Sequence, residues 1–139
     1  MGIPEPEIGM VISYEFLWYH EADKGQIYGR KDRPSVIVVS MEEDNGKTKV
    51  IVAPITHTES DVDYGLEIPP KVKKHLGLDD ERSWVITTEL NVFYWPGYDL
   101  KPIKNTSSYV YGFLPPKMFV QLKEKIRNCY NNTVINRDD

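Results

Sequence analysis

Arg33 and Thr56 are of residue types, and in positions, that suit one piece of chemistry, the holding of a phosphate. A guanidinium offers a planar fork for two phosphate oxygens, and a hydroxyl offers a short donor for a third. The two residues bracket a pair of apolar runs. Arg33 stands just before Pro34-Ser35-Val36-Ile37-Val38-Val39-Ser40, and Thr56, followed by His57 and Thr58, closes Val50-Ile51-Val52-Ala53-Pro54-Ile55. Each run is β-branched and apolar at successive rather than alternate positions, the pattern of a strand buried on both faces. Between them Asp44-Asn45-Gly46 supplies a turn, Asn45-Gly46 being suited to positive φ. In an antiparallel hairpin the start of one strand lies beside the end of the next, so Arg33 and Thr56 are expected at one edge of the sheet. Taken singly, an arginine before a strand is usually a solvated charge and a threonine after one a turn-capping hydroxyl; the pairing lifts them above that.

The elements that must position this pair follow from pattern. Met10 to Trp18 reads as a first strand, and His20 to Asp32 as a charged loop with Gly25 and Gly29, long enough to lie over a groove. A polar loop over 58–63 precedes a short strand at Tyr64 to Ile68. Pro70 to Leu76, closed by Gly77, reads as a short helix whose Lys71, Lys73, Lys74 and His75 form a solvated face. Ser83 to Phe93 is expected as one long strand closed by Trp95-Pro96-Gly97, and Tyr109 to Phe113 as the last strand. Leu114-Pro115-Pro116 opens a helix to about Tyr130, with Phe119, Leu122, Ile126 and Cys129 facing a core. Ile68-Pro69-Pro70-Lys71-Val72 and Leu114-Pro115-Pro116-Lys117-Met118 are one device used twice, a strand running into a helix. The expected fold is mainly β with a C-terminal helix, a small, strongly bent antiparallel barrel.

At 139 residues the chain suits one domain, 1–139, with a core over about 8–130 and a frayed tail over 131–139. The net charge of −4 argues against a dedicated duplex binder, so any nucleic-acid role rests on a local cluster such as Arg30-Lys31-Arg33 and on single-strand contacts. A lone cysteine, Cys129, excludes an intrachain disulfide framework and fits a reducing compartment. The first residues, Met1-Gly2-Ile3-Pro4-Glu5-Pro6, lack the basic and apolar regions of a signal peptide, and no apolar run approaches the ~18 residues of a membrane span. The expectation is a soluble, cytoplasmic protein. No Gly-rich phosphate loop, Cys-X-X-Cys or His-Glu-X-X-His occurs, and His20, His57 and His75 are not spaced as a metal set, so neither metal nor cofactor is expected. Trp18, Trp84, Trp95 and the tyrosines read as core or interface residues, with one or two exposed rings able to stack unpaired bases.

The order of motifs resembles that of the PemK/MazF family of toxin endoribonucleases over residues 8 to 128. The matching features are Ile8-Gly9-Met10-Val11, His20-Glu21, Lys31-Asp32-Arg33-Pro34, Val52-Ala53-Pro54-Ile55-Thr56, the strand from Ser83 to Glu89, and Tyr111-Gly112-Phe113-Leu114-Pro115. The resemblance implies an SH3-like barrel of the CcdB/PemK type, a homodimer, a cognate antitoxin, and metal-independent cleavage of single-stranded RNA. In that reaction the ribose 2′-OH attacks the adjacent phosphate, leaving a 2′,3′-cyclic phosphate and a 5′-OH. By position Arg33 and Thr56 correspond to the family's catalytic arginine and threonine. For the group that takes the 2′-OH proton, His20 stands first and Glu89 second; arginine, with a pKa above about 12, suits charge stabilisation better. Arg30, Lys31, Glu21, His57, Thr58 and Asn91 are the expected substrate contacts. Thr87 departs from members that carry arginine there. Two other readings remain open: a toxin of the same barrel that binds a protein target such as DNA gyrase, and a catalytically silent homologue.

Overall fold

The two apolar runs form the antiparallel hairpin β2 (Asp32–Glu42) and β3 (Thr48–Thr56), in the register Ser35↔Pro54 and Val36↔Ala53, with an irregularity between Ile37 and Val39. Its turn closes with Glu43 N–H donating to the Lys47 carbonyl at 2.8 Å and Gly46 at φ 82°. Successive apolar residues are used as the pattern implies. Val36, Val38, Ala53 and Ile55 pack into one apolar cluster, and Ile37, Val50 and Val52 into another on the opposite face. Burying each such side chain contributes about 1.5–3 kcal/mol, so both faces hold the hairpin. This computed structural model describes residues 3–25, 32–58, 64–129 and 132–137. The expected contacts Arg30 and Lys31, most of the 58–63 loop, and Tyr130 lie outside the described residues.

Around the hairpin run β1 (Met10–Glu15), β4 (Gly65–Glu67), β5 (Trp84–Ile86), β6 (Glu89–Tyr94), β7 (Val110–Phe113) and β8 (Thr133–Asn136). They make one curled, mainly antiparallel sheet in the order β4-β5-β3-β2-β1-β7, with β6 also on β3 and β8 on β6. Among the described residues three helices accompany it: α1 (Tyr19–Asp23), α2 (Pro70–Leu76) and α3 (Pro116–Arg127). Leu76 of α2 and Met118, Phe119 and Leu122 of α3 cover the Val36 face of the sheet. On the other face Tyr14 stacks on Phe93, with ring centroids 4.8 Å apart, beside Phe16 and Leu100. No helix among the described residues is long and apolar enough to cross a membrane.

The doubled strand-to-helix device is present: Pro69 and Pro115 hold extended backbone at ψ 149° and 144°, and Pro70 and Pro116 open α2 and α3. Gly77 ends α2 at φ 72°, a left-handed cap that glycine adopts without strain.

Four expectations change. The first strand ends at Glu15, and the expected loop from His20 begins as α1. The expected long strand from Ser83 to Phe93 is divided. Val85 and Trp84 pair with Ile55 and Thr56, but Asn91 to Tyr94 pair with Val52 to Lys49, so the register slips between β5 and β6. At the slip Thr87 turns inward and gives both its N–H (2.9 Å) and its hydroxyl (2.8 Å) to the Tyr64 carbonyl. A bend of this kind lets a sheet curl, and threonine, a good strand residue, does not announce it. The tail expected to fray is β8, which runs parallel to β6 and is tied at either end by Thr133 N–H to the Thr88 carbonyl and Arg137 N–H to the Val92 carbonyl. Lys73, expected on a solvated helix face, is buried.

Candidate functional site

Continuing the ladder two residues beyond Ser35↔Pro54 sets Arg33 opposite Thr56. Both line a cleft of about 200 Å³ at this end of the hairpin. Asp32-Arg33-Pro34 from β2 and Ile55-Thr56-His57 from the end of β3 form two walls, and Leu78, Asp79 and Ser83, between α2 and β5, form the third.

Arg33 is half-buried, its guanidinium 5.2 Å over the Trp18 ring. Burial lowers its pKa from the ordinary arginine value, and the negative charge of Glu21 pushes it the other way. Its Nε is buried with no hydrogen-bond partner among the described residues, an unmet donor beside the cleft. Glu21, in α1, is 2 % exposed, and its carboxylate accepts the Trp18 N–H at 3.0 Å. Glu89, at the start of β6, accepts the Tyr19 N–H at 2.6 Å and fixes the first turn of α1. Glu89 therefore anchors the element that carries Trp18 and Glu21. His20 is exposed on α1 and does not line the cleft.

On the opposite wall Thr56 Oγ1 accepts the Thr58 N–H at 3.2 Å. That turn spends a lone pair of the hydroxyl and leaves its proton uncommitted among the described residues. His57 Nε2 lies 2.7 Å from Asp79 Oδ2, and its Nδ1 lies 3.5 Å from Glu81 Oε2. Asp79 Oδ1 accepts from Lys73 Nζ at 2.6 Å. Lys73 is 5 % exposed and also donates to Ser83 Oγ at 2.7 Å and to the Glu81 carbonyl. Partial burial opposes the charge of Asp79, yet hydrogen bonds from Lys73, His57 and the Glu81 N–H hold its carboxyl below the usual aspartate range. Tyr111 of β7 is half-buried beside these groups and hydrogen-bonded with Ser13. Its pKa is raised, by burial first and then by the charges of Asp32 and Asp79.

The structure thus brings together Arg33, Thr56 and His57, with Thr58 bonded to Thr56 and Glu21 beside Arg33. Asn91 lies elsewhere: it is fully buried, and its amide bonds the Leu17 backbone, N–H at 2.9 Å and carbonyl at 2.9 Å, and Arg137 at 3.0 Å. Asp79, Lys73 and Tyr111 were not expected from sequence as site residues. The only signal was the acidic stretch Asp79-Asp80-Glu81 between a helix and a strand, and nothing in it says which carboxylate turns toward His57.

Ligand atoms of His57, Asp79 and Glu81 lie within 4.8 Å of one another, a spacing a metal ion could use. Lys73 already presses an ammonium on the other oxygen of Asp79, which repels a second cation there. The arrangement is a cleft whose lining includes an arginine, a threonine and a histidine, the imidazole bonded to Asp79. No protein-family model matches the chain, and no curated protein matches it.

Proposed function

We propose that this chain is a PemK/MazF-like toxin: a metal-independent endoribonuclease that cuts single-stranded RNA to 2′,3′-cyclic phosphate and 5′-OH ends. In this reading the curled sheet is an SH3-like barrel of the CcdB/PemK type, the working unit is a cytoplasmic homodimer, and a cognate antitoxin neutralises it by filling the RNA groove.

One observation carries the reading, the convergence of Arg33 and Thr56 on a single cleft at the end of the β2–β3 hairpin. Attack of a 2′-OH on phosphorus builds negative charge on the equatorial oxygens, and donors already aimed there stabilise the transition state more than the ground state. Arg33, stacked on Trp18 with an unmet Nε–H, supplies the guanidinium; Thr56, its lone pair held by Thr58, supplies the O–H. Losing one such donor typically costs ~3 kcal/mol, roughly a hundredfold in rate.

The test is incubation of purified protein with a long single-stranded RNA in EDTA, wild type against Arg33→Ala, with the fragment ends mapped. Cuts that leave 5′-hydroxyl ends and vanish in the variant support the reading. No cleavage by folded, antitoxin-free protein overturns it, and a protein target such as DNA gyrase becomes the next assay.

A further inference from the structure

Resting on that nuclease reading, we propose that His57, oriented by Asp79, is the base that takes the 2′-OH proton, a role the resemblance gives to His20 or Glu89.

The position favours His57. It shares the cleft with Arg33 and Thr56, directly follows Thr56 in the chain, and has a half-exposed side chain that substrate can reach. His20 and Glu89 do not line the cleft, and Glu89 is engaged with the Tyr19 N–H at 2.6 Å.

The hydrogen bonds assign the tautomer. The carboxylate of Asp79 only accepts, so at 2.7 Å it requires the proton of neutral His57 on Nε2 and leaves the lone pair on Nδ1. Among the described residues Nδ1 has the long 3.5 Å contact to Glu81, whose side chain is 72 % exposed. Asp79 in turn is fixed by the buried Lys73, which is tied to Ser83 Oγ and the Glu81 carbonyl. The chain Lys73 to Asp79 to His57 therefore runs from the interior to the cleft, and Asp79 acts as a positioning residue. In the step, the O2′ proton passes to Nδ1, the O2′–P bond forms and the P–O5′ bond breaks. The leaving O5′ takes a proton from water, and the hydroxide so formed is neutralised by the proton that His57 releases. The imidazolium formed meanwhile lies between the carboxylates of Asp79 and Glu81.

Among the described residues, the charged and titratable groups around His57 are Asp79 and Glu81 directly, Lys73 of α2 bonded to Asp79, Asp32 and Arg33 of β2 in the same cleft lining, and Tyr111 of β7, whose ionisation feels the charge of Asp79. The experiment measures single-turnover cleavage of an RNA containing one cut site against pH, in EDTA, for wild type, His57→Ala, Asp79→Asn and His20→Ala, each first checked by thermal melting. His57→Ala is expected to lose about a hundredfold or more in rate, to lose the acidic limb of the pH profile, and to regain activity with added imidazole. Asp79→Asn is expected to lose less and to displace that limb. Wild-type cleavage matched by His57→Ala in rate and pH profile overturns the proposal, as does loss of the limb in His20→Ala instead. Absence of cleavage by the wild type would be the distinct failure of the nuclease reading. His57 is exposed enough that folding is expected to survive; should His57→Ala melt early, His57→Gln replaces it.

Discussion

Arg137 and Asp99 form an ion pair, Nη2 to Oδ1 at 2.9 Å, in which the two side chains are only 2 % and 13 % exposed. From the same guanidinium Nη1 reaches the Tyr14 hydroxyl at 3.2 Å, the Glu15 carbonyl at 2.8 Å and Asn91 Oδ1 at 3.0 Å. The residue that follows β8 thus ties together β1, β6 and the segment before β7. Removing one partner of a buried pair strands the other charge, which typically costs 3–5 kcal/mol. Arg137→Ala is therefore expected to lower the unfolding free energy by about that amount, seen as a lower urea midpoint with little change in slope. An unchanged midpoint would show that the C-terminal residues are not part of the folded unit.

That relationship also marks where the sequence stops being legible. The β2–β3 hairpin, the Pro-Pro openings of α2 and α3 and the αL glycine at Gly77 each follow from local chemistry, and each is present. Arg33 and Thr56 were legible for the same reason, since hairpin geometry alone brings the two ends together. Thr133-Val134-Ile135-Asn136 is too short and too polar at its flanks to read as a strand; only the free edge of β6 gives it a partner. Lys73 is similar. Three lysines in one turn look like a solvated face, and only the return of Asp79 and Ser83 over that turn gives one of them a buried site. Contacts across the fold, which leave no periodic trace, decide these cases.

Arg33→Lys is expected to cost nearly as much activity as Arg33→Ala, about a hundredfold. The ammonium keeps the charge but loses the planar fork and the stacking over Trp18 at 5.2 Å. Stability should hold or rise slightly, because the substitution also removes a buried Nε–H that lacks a partner among the described residues. Parallel measurement of melting temperature and cleavage rate checks both halves; a lysine variant with wild-type rate would reduce Arg33 to a point charge.

The lowered pKa of Asp79 makes stability depend on acid. A carboxyl whose folded value lies below its unfolded one contributes fully above the ordinary value near 3.8, and loses that contribution as pH falls through the lower folded value. Asp79→Asn should therefore be less stable than wild type at neutral pH, the difference shrinking in that acidic window. Asp79 is half-exposed and solvent screens it, so the change is expected to be small. Urea melts of the two proteins across pH measure it, and curves that stay parallel down to the most acidic point would contradict the assignment.

Tyr111 should titrate late. Burial disfavours its phenolate and is the largest effect; the hydrogen bond with Ser13 works against it, and the smaller effects of the Asp32 and Asp79 charges add to the rise. A group raised in this way adds stability below its unfolded value and loses it as pH rises through the folded one, so the effect belongs to the alkaline side. Spectrophotometric titration of phenolate should show one fewer late-ionising tyrosine in Tyr111→Phe than in wild type. The variant should also be less sensitive to alkaline unfolding. Asp32→Asn should lower the Tyr111 ionisation slightly toward the ordinary tyrosine range, and an unmoved titration in that variant would remove Asp32 from the causes.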